Sequence, residues 1–436
     1  MTAVLLPQAI PIGIAEHPAK RLTRWRLTQA AITVSVAAMP LLRPSGPGNT
    51  GLVDLALLTA IVAAMLWASA RALQVRLPYA LPVGLMVVAG ASTVLTIDDG
   101  ATWRTTLALL QDIFVFGWAA AVATVGRDRG LLDGFCRAWA YSGTAWATAL
   151  IVGEILGLNW LTGINAADGL RASLTFGDPN LAANYFLCTL LVIRATRRPR
   201  KAGWRWLACG LTATGVILTL SNGGILAMLI ATALGWLFAL ASRRGLIAAA
   251  SAGAVLALGV GAVFYTVDVH AAVTRAEEAS PFVKDSIGRE GESGGSRSTL
   301  VQEGLELWLA GDTVLGLGPG NTEAALRARQ APYIKEAHDD YLAAVLERGV
   351  LGGAAIVLLV ATVAIRARRI SRRDGVSPDY LEVVPRPELL AAAAVAIGMS
   401  GLFYEVLHFR HVWALFGLMA ALELARSARP PARSGS

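Results

Sequence analysis

Apolar residues along this chain neither alternate nor form single helical stripes. They come in continuous runs of roughly 20 residues separated by short polar segments, the length an α-helix needs to cross the hydrocarbon core of a bilayer. Backbone in lipid must satisfy its own hydrogen bonds, which leaves helices or a closed barrel, and unbroken apolar runs select helices. The pattern therefore predicts an all-α polytopic membrane helix bundle of about 12 spans: 28–43, 51–70, 78–97, 104–125, 135–158, 179–196, 204–220, 223–241, 245–267, 340–365, 388–404 and 410–426. The first is short, and the pair meeting at Ser221-Asn222-Gly223 must turn tightly. Residues 1–27 and 427–436 read as tails, 28–267 as nine helices, 268–339 as one large polar loop and 340–426 as the last three helices.

Two parts of the long loop carry a pattern of their own. Val301, Leu305, Trp308 and Leu309 fall on one helical face, with Glu303 and Glu306 elsewhere, which predicts an amphipathic helix resting on the membrane surface. Arg297 stands one turn ahead of Val301. Gly316-Leu317-Gly318-Pro319-Gly320-Asn321 reads as a tight turn into a second helix, and the Gly/Ser-rich stretch from Glu290 to Ser298 is expected to be mobile.

Composition supports the membrane class: 55% of the 436 residues are hydrophobic and 16% charged, against about 25% charged in soluble domains. The net charge of +8 follows from topology rather than from nucleic-acid binding. With both termini on the cytoplasmic side, 26 of the 38 Lys and Arg residues fall on inside segments, as the positive-inside rule requires. Those clusters serve orientation and contact with anionic membrane lipids. The expected location is the cytoplasmic membrane, with the long loop outside. The apolar run near the N-terminus precedes its cationic cluster, Lys20 to Arg26, the reverse of a cleaved signal peptide. Cys136, Cys188 and Cys209 are too few and too scattered for a disulfide framework.

The polar clusters outside the spans all fall on the outer side: Arg171 to Asn180, Arg297, His338-Asp339-Asp340-Tyr341, and Glu405, His408, Arg410 and His411. An arginine fork suits phosphate oxygens, and a histidine can take a proton from an attacking hydroxyl. Sugar transfer from a lipid diphosphate needs both. Each residue also has a plainer reading: Arg171 as the cap of a re-entrant loop, His338 as an interfacial capping residue. The Gly316–Gly320 turn lacks the Lys and Ser/Thr of a phosphate loop, and Asp339-Asp340 alone is a weak signal for a metal. Asp54, Asp112 and Glu154 lie within spans and read as packing or lumen contacts.

Three segments resemble the O-antigen ligase/polymerase family. His338-Asp339-Asp340-Tyr341-Leu342, followed by Glu347-Arg348-Gly349 and Gly352, is similar to its His-Asn-Tyr-Leu and Glu-x-Gly-x-x-Gly signature. Arg171 through Phe176-Gly177-Asp178-Pro179-Asn180 resembles an element before a membrane helix, and Arg297 to Trp308 with the Gly316-to-Asn321 turn resembles a third. Pro179, Asn180, Tyr341, Gly318 and Gly320 would be structural members of these motifs. The resemblance implies a metal-independent glycosyltransferase with no cofactor. Its donor would be a glycan on undecaprenyl diphosphate, and its acceptor a hydroxyl of a lipid core sugar (ligase) or of another lipid-linked glycan (polymerase). Arg297 would bind diphosphate, Arg171 would help hold the donor, and His338 would activate the acceptor. The chain departs from the family twice. Its tight turn reads Ser221-Asn222-Gly223 where the family has Ser-Arg-Gly, so a cationic contact is missing unless Arg171 or Arg410 substitutes. Asp339 replaces the usual Asn, where it could orient His338 or compete with it as base.

A transporter of lipid-linked glycans or small molecules is the alternative. Transporters favour paired repeats and polar residues at the midplane, whereas this chain lacks a visible repeat and carries its polar clusters at the outer helix ends. An envelope-complex scaffold is the third reading.

Overall fold

The computed structural model describes residues 18–43, 50–97, 99–164, 170–266, 271, 274–275, 278, 290–331, 334, 339–372 and 376–426. Among these the secondary structure is helical, without strands. In chain order the helices are α1 (Pro18–Ala38), α2 (Leu52–Ala70), α3 (Ala80–Ser92), α4 (Asp99–Val125), α5 (Arg129–Ile155), the single turn α6 (Asn159–Thr162), α7 (Pro179–Thr196), α8 (Ala202–Leu218), α9 (Asn222–Arg244) and α10 (Leu246–Thr266). Then follow α11 (Glu290–Ala310), α12 (Thr322–Ala328), α13 (Asp340–Ser371), the turn α14 (Pro378–Leu381), α15 (Glu388–Ser400) and α16 (Arg410–Arg426).

Every stretch marked by the apolar pattern is helical, although α1 begins at Pro18, inside the expected tail, and α13 runs on to Ser371. Four segments, Leu52–Ala70, Ala101–Val125, Asn222–Arg244 and Asp340–Ser371, are long and apolar enough to cross a membrane, so that criterion is met at four of the expected crossings. Ala80–Leu95, Leu246–Ala262 and Glu388–Ser400 are apolar but shorter. The stretch from Glu290 to Ser298, expected to be mobile, is instead the first part of α11. Helix growth is cooperative, and the packed turns from Leu300 onward give the glycine-rich stretch a template.

Burial sorts the helices. Helices α7, α15 and α16 are enclosed along most of their length, which is where helices apolar all round belong. Helices α2, α9 and α10 instead present Leu55, Leu229, Trp236, Ile247 and Leu258 outward, the surface lipid would cover. Small residues set the closest approach: a Cβ built at Gly417 of α16 would lie 2.7 Å from the Ala119 carbonyl oxygen of α4.

The helix ends gather at two ends of the bundle. At one, which we call the basic end, arginines meet carboxylates. Arg71 reaches Asp128 at 3.4 Å, Arg366 and Arg369 share Glu423 at 2.5 and 2.6 Å, and Arg137 and Arg198 share Asp133. At the other, the loop end, Arg410 makes a two-pronged pair with Asp54 (3.0 and 2.9 Å) and Arg348 bonds Asp112 at 2.7 Å.

The loop end is organised by a break in α13. Gly349 has φ 59° and ψ −159°, outside the helical region. The carbonyls of Leu346 and Glu347 accept instead from Leu317 N (3.0 Å) and Gly318 N (2.9 Å), and Val350 N donates to the Thr313 carbonyl at 3.1 Å. The glycine turn thus fills the break, and Gly316 and Gly349 must lack side chains for it to do so. A Cβ on Gly316 would lie 2.6 Å from Gly349 N, and one on Gly349 would lie 1.9 Å from the Val314 oxygen. Asn321 Nδ2 donates to Thr105 Oγ1 (3.0 Å), tying the turn to α4. Replacing Gly349 with Ala should cost at least about 1–3 kcal/mol, the scale of an enforced unfavourable backbone conformation, seen as a lower melting midpoint in detergent. Gly259→Ala on α10, where no atom lies within 4 Å of a built Cβ, should leave the midpoint unchanged. Equal midpoints for the two variants would refute the account of the break.

Candidate functional site

The site grows from the N-terminus of α13. Asp339 is its N-cap, and Oδ1 accepts from Tyr341 N (2.7 Å) and Leu342 N (3.1 Å). Burial raises the Asp339 carboxyl above its ordinary range, while those two N–H groups pull it back down. Asp340 is turned inward: Oδ2 accepts from Val406 N (3.0 Å), Oδ1 from Leu407 N (3.3 Å), and its own N donates to the Gly401 carbonyl (2.8 Å). Tyr341 Oη donates to the Gly398 carbonyl at 2.8 Å. The motif therefore fastens the loop between α15 and α16 against the start of α13. His338 lies outside the described residues, and Arg297 is placed as a position on α11.

Helix α11 lies across this corner. Leu300 and Leu307 are buried with Leu346, and a Cβ on Gly304 would meet the Leu342 side chain at 2.9 Å. Of the stripe read from the sequence, Trp308 packs against this cluster. Val301, Leu305 and Leu309 point outward, where they can meet a membrane surface. Core contact took the Leu300–Gly304–Leu307 line because glycine allows closer approach than the bulky stripe.

Arg171 stands at a different helix junction. Its Nη2 donates to Asn180 Oδ1 (3.1 Å) and its Nε to the Thr219 carbonyl (3.4 Å). Asn180 Oδ1 also accepts from Ser221 Oγ at 2.8 Å, and Ser221 caps α9 by accepting from Gly224 N. Pro179 opens α7, with Asp178 as its cap. The segment from Arg171 to Asn180 is thereby joined to the Ser221-Asn222-Gly223 turn. Arg410, the other cation that could replace an arginine at that turn, is occupied by Asp54, and both side chains are largely buried. His411 is also enclosed, with Nε2 2.9 Å from Asn184 Oδ1 among the rings of Tyr185, Phe176 and Phe409.

Two cavities meet beneath the start of α13. One, of about 270 Å³, is lined by Asp112, Glu323, Asp340, Glu347 and Glu405, with Arg348 and His408. The other, of about 330 Å³, runs between α13 and α15, past Tyr341, Ile356, Leu359, Val363 and Ile397. They share Asp340 and Leu407. The acids of the first do not converge on a point: among the described residues no three His, Cys, Asp or Glu side chains could hold one metal ion. Glu347 Oε1 accepts from Thr322 Oγ1 (2.8 Å), and Asp112 holds Arg348. Burial, then the charge of Arg410, lowers His408 to about 4. At neutral pH its imidazole is uncharged, with one nitrogen able to donate and the other to accept.

Sequence reasoning named Glu405 and His408 as neighbours and Asp112 as a packing or lumen contact, but missed Arg348 and Glu323. The signal for Arg348 was available: Glu347 and Arg348 form a charged pair inside an otherwise apolar span, and intramembrane charges mark functional sites by default.

Part of this corner falls within a segment known from other proteins. Residues 207–357 match the family model Wzy_C, O-antigen ligase. No curated protein matches the chain. The matched stretch contains the Ser221 turn, α11 with Arg297, the glycine turn and the broken part of α13. The match supports the resemblance read from the motifs: within this chain of apolar helices, residues 207–357 are similar to the O-antigen ligase domain found in cell-envelope polysaccharide ligases and polymerases.

Proposed function

We propose that the protein transfers a glycan from undecaprenyl diphosphate to an acceptor hydroxyl at the outer face of the cytoplasmic membrane, as a polysaccharide polymerase or ligase. The observation that carries this reading is the junction of the two cavities at Asp340 and Leu407. Carboxylates and a neutral imidazole accept hydrogen bonds from sugar hydroxyls, and the apolar cavity beside them suits the first carbons of a lipid tail. A molecule with a sugar head and a hydrocarbon tail matches both at once.

The acid-lined cavity repels phosphate, so the donor diphosphate belongs elsewhere, with Arg297 and Arg171. Arg171 is bonded to Asn180 and the Thr219 carbonyl beside the turn where Asn222 replaces the family's arginine, which supports it as the substitute for the missing cation. The pairing of Arg410 with Asp54 favours Arg171 over Arg410 in that role. His338 would take the proton of the acceptor hydroxyl. The new glycosidic C–O bond would form as the bond from the donor sugar to diphosphate breaks, and undecaprenyl diphosphate would leave against the two arginines. Asp339, committed to capping α13, acts by positioning the segment that carries His338 rather than as a base. The broken α13 would suit a transporter, but the turn backbone fills the break and leaves no space for a transported ion there.

Deletion of the gene, complemented by variants, tests this. Single repeat units should accumulate on the carrier lipid if the protein is a polymerase, and long lipid-linked chains if it is a ligase. Arg297→Ala, His338→Ala and Arg171→Gln, expressed at normal levels, should each lower turnover about 10²–10³-fold, the scale of losing one positioned charge-stabilising group. Arg410→Gln should act through stability instead. Unchanged glycans in the deletion strain would refute the transferase reading.

His408 gives a separate pH test. Its folded value, about 4, lies below the ordinary 6.5, so the unfolded chain takes up the proton first. The stability contributed at this position is present above pH 6.5 and is lost as the pH falls toward 4. His408→Asn should remove that part of the acid destabilisation, measured as melting midpoint against pH. A variant that tracks wild type across the window would show that His408 is not held neutral by burial.

A further inference from the structure

At the basic end, far from the cavities, four arginines surround a pocket of about 220 Å³: Arg194 at the end of α7, Arg197 just after it, Arg205 on α8 and Arg386 before α15, with Trp206 and the buried Cys209 completing the wall. We propose that this pocket is a binding site for a phosphate group, and that the headgroup of an anionic phospholipid fills it.

The argument begins with what the other arginines at this end do. Arg71, Arg129, Arg137, Arg198, Arg366 and Arg369 each pair with a carboxylate. None of the four pocket arginines does so among the described residues, and no acid lines the pocket. Arg194 lies over the Trp206 ring at 5.5 Å, and Arg205 donates to the carbonyls of Pro199 and Arg200 at 3.4 and 3.2 Å. Neither contact neutralises charge. Arg386 Nε is buried without a hydrogen-bond partner, a state that costs free energy unless something outside the protein supplies the acceptor.

Mutual repulsion is visible at Arg386. Its guanidinium is held below the ordinary value by burial, then by the positive charges of Arg197 and Arg243 and, more weakly, Arg194. Glu388 pulls the other way, but from beyond ion-pair distance. Four guanidinium forks around one small space match the several acceptor oxygens of a phosphate, which can accept two-pronged bonds. Basic pockets between membrane helices are the usual place for anionic headgroups.

The surroundings favour a lipid over a soluble anion. Trp204 and Trp206 are each 62% exposed at the start of α8, and tryptophans concentrate at the level of the headgroups. A groove between α5 and α8 opens on the other side of Trp204 and Leu207, past Tyr141, Thr144 and Leu211. An acyl chain could follow that outer surface from a headgroup held at the end of the bundle.

The full chain in nanodiscs decides the point. Melting midpoints are compared in phosphatidylcholine alone, in phosphatidylcholine with phosphatidylglycerol, and in phosphatidylcholine with inorganic pyrophosphate added. Wild type should gain stability with phosphatidylglycerol. Arg197→Gln/Arg386→Gln should lose that gain, while Lys20→Gln/Arg21→Gln, exposed on α1 and outside both the pocket and the groove, should keep it. In phosphatidylcholine alone the pocket variant should be at least as stable as wild type, since it relieves repulsion and removes no ion pair. Pyrophosphate reproducing the gain would keep the phosphate site and replace the lipid by a soluble ligand. Equal loss in both variants, or no loss in the pocket variant, would refute the site in favour of diffuse surface charge. A pocket variant less stable in phosphatidylcholine alone would also refute it, because the arginines would then be structural.

Discussion

Two carbonyls, those of Leu346 and Glu347, set the arrangement of the whole loop end. Inside a membrane-buried helix they would be bonded four residues along the chain, and lipid offers no substitute if that bond is lost. Here the helix gives up those bonds at Gly349, and the glycine turn supplies Leu317 N and Gly318 N in their place. The exchange locks a polar loop into an apolar bundle. It also fixes where α11 and α12 can lie, and it sets Glu347 and Arg348 at the edge of a cavity rather than against lipid. The glycines of two motifs more than twenty residues apart in the chain are thus halves of one joint.

The two ends of the bundle use charge differently. At the loop end the ion pairs are few and span the chain, Asp54 with Arg410 and Asp112 with Arg348, and they leave an acidic cavity beside an apolar one. At the basic end cations outnumber acids, and the surplus is collected around one pocket. Such a division fits the two proposals together, with sugar transfer at one end and lipid anchorage at the other, a membrane's thickness apart.

Much of this was legible in the sequence. Continuous apolar runs located the helices because length and hydropathy act locally. The grouping of polar clusters at one set of helix ends foretold that Asp340 and His408 would meet. Pairings across the chain were not legible: Arg348 lies 236 residues from Asp112, and no local pattern encodes such a partner. The packed face of α11 was not legible, because periodicity ranks residues by hydrophobicity, whereas the contact was decided by the absence of a side chain at Gly304. The position of Arg171 was equally hidden. It depends on Asn180 and Ser221 being brought together because α7 packs antiparallel to α8 and so parallel to α9, with both N-termini at one junction.

The burial of α16 bears on how the protein is made. This helix sits at the centre, yet it is the last described element of the chain. Asp54 precedes Arg410 by 356 residues, and at about 5–20 residues per second the interval is on the order of 20–70 s. Through that time the earlier helices must stand around a hollow, with the Asp54 carboxylate lacking its guanidinium and Asn184 lacking its imidazole. The bundle closes only as this helix arrives, so a chain terminated before it keeps an open, polar-lined core by which quality-control proteases can recognise it.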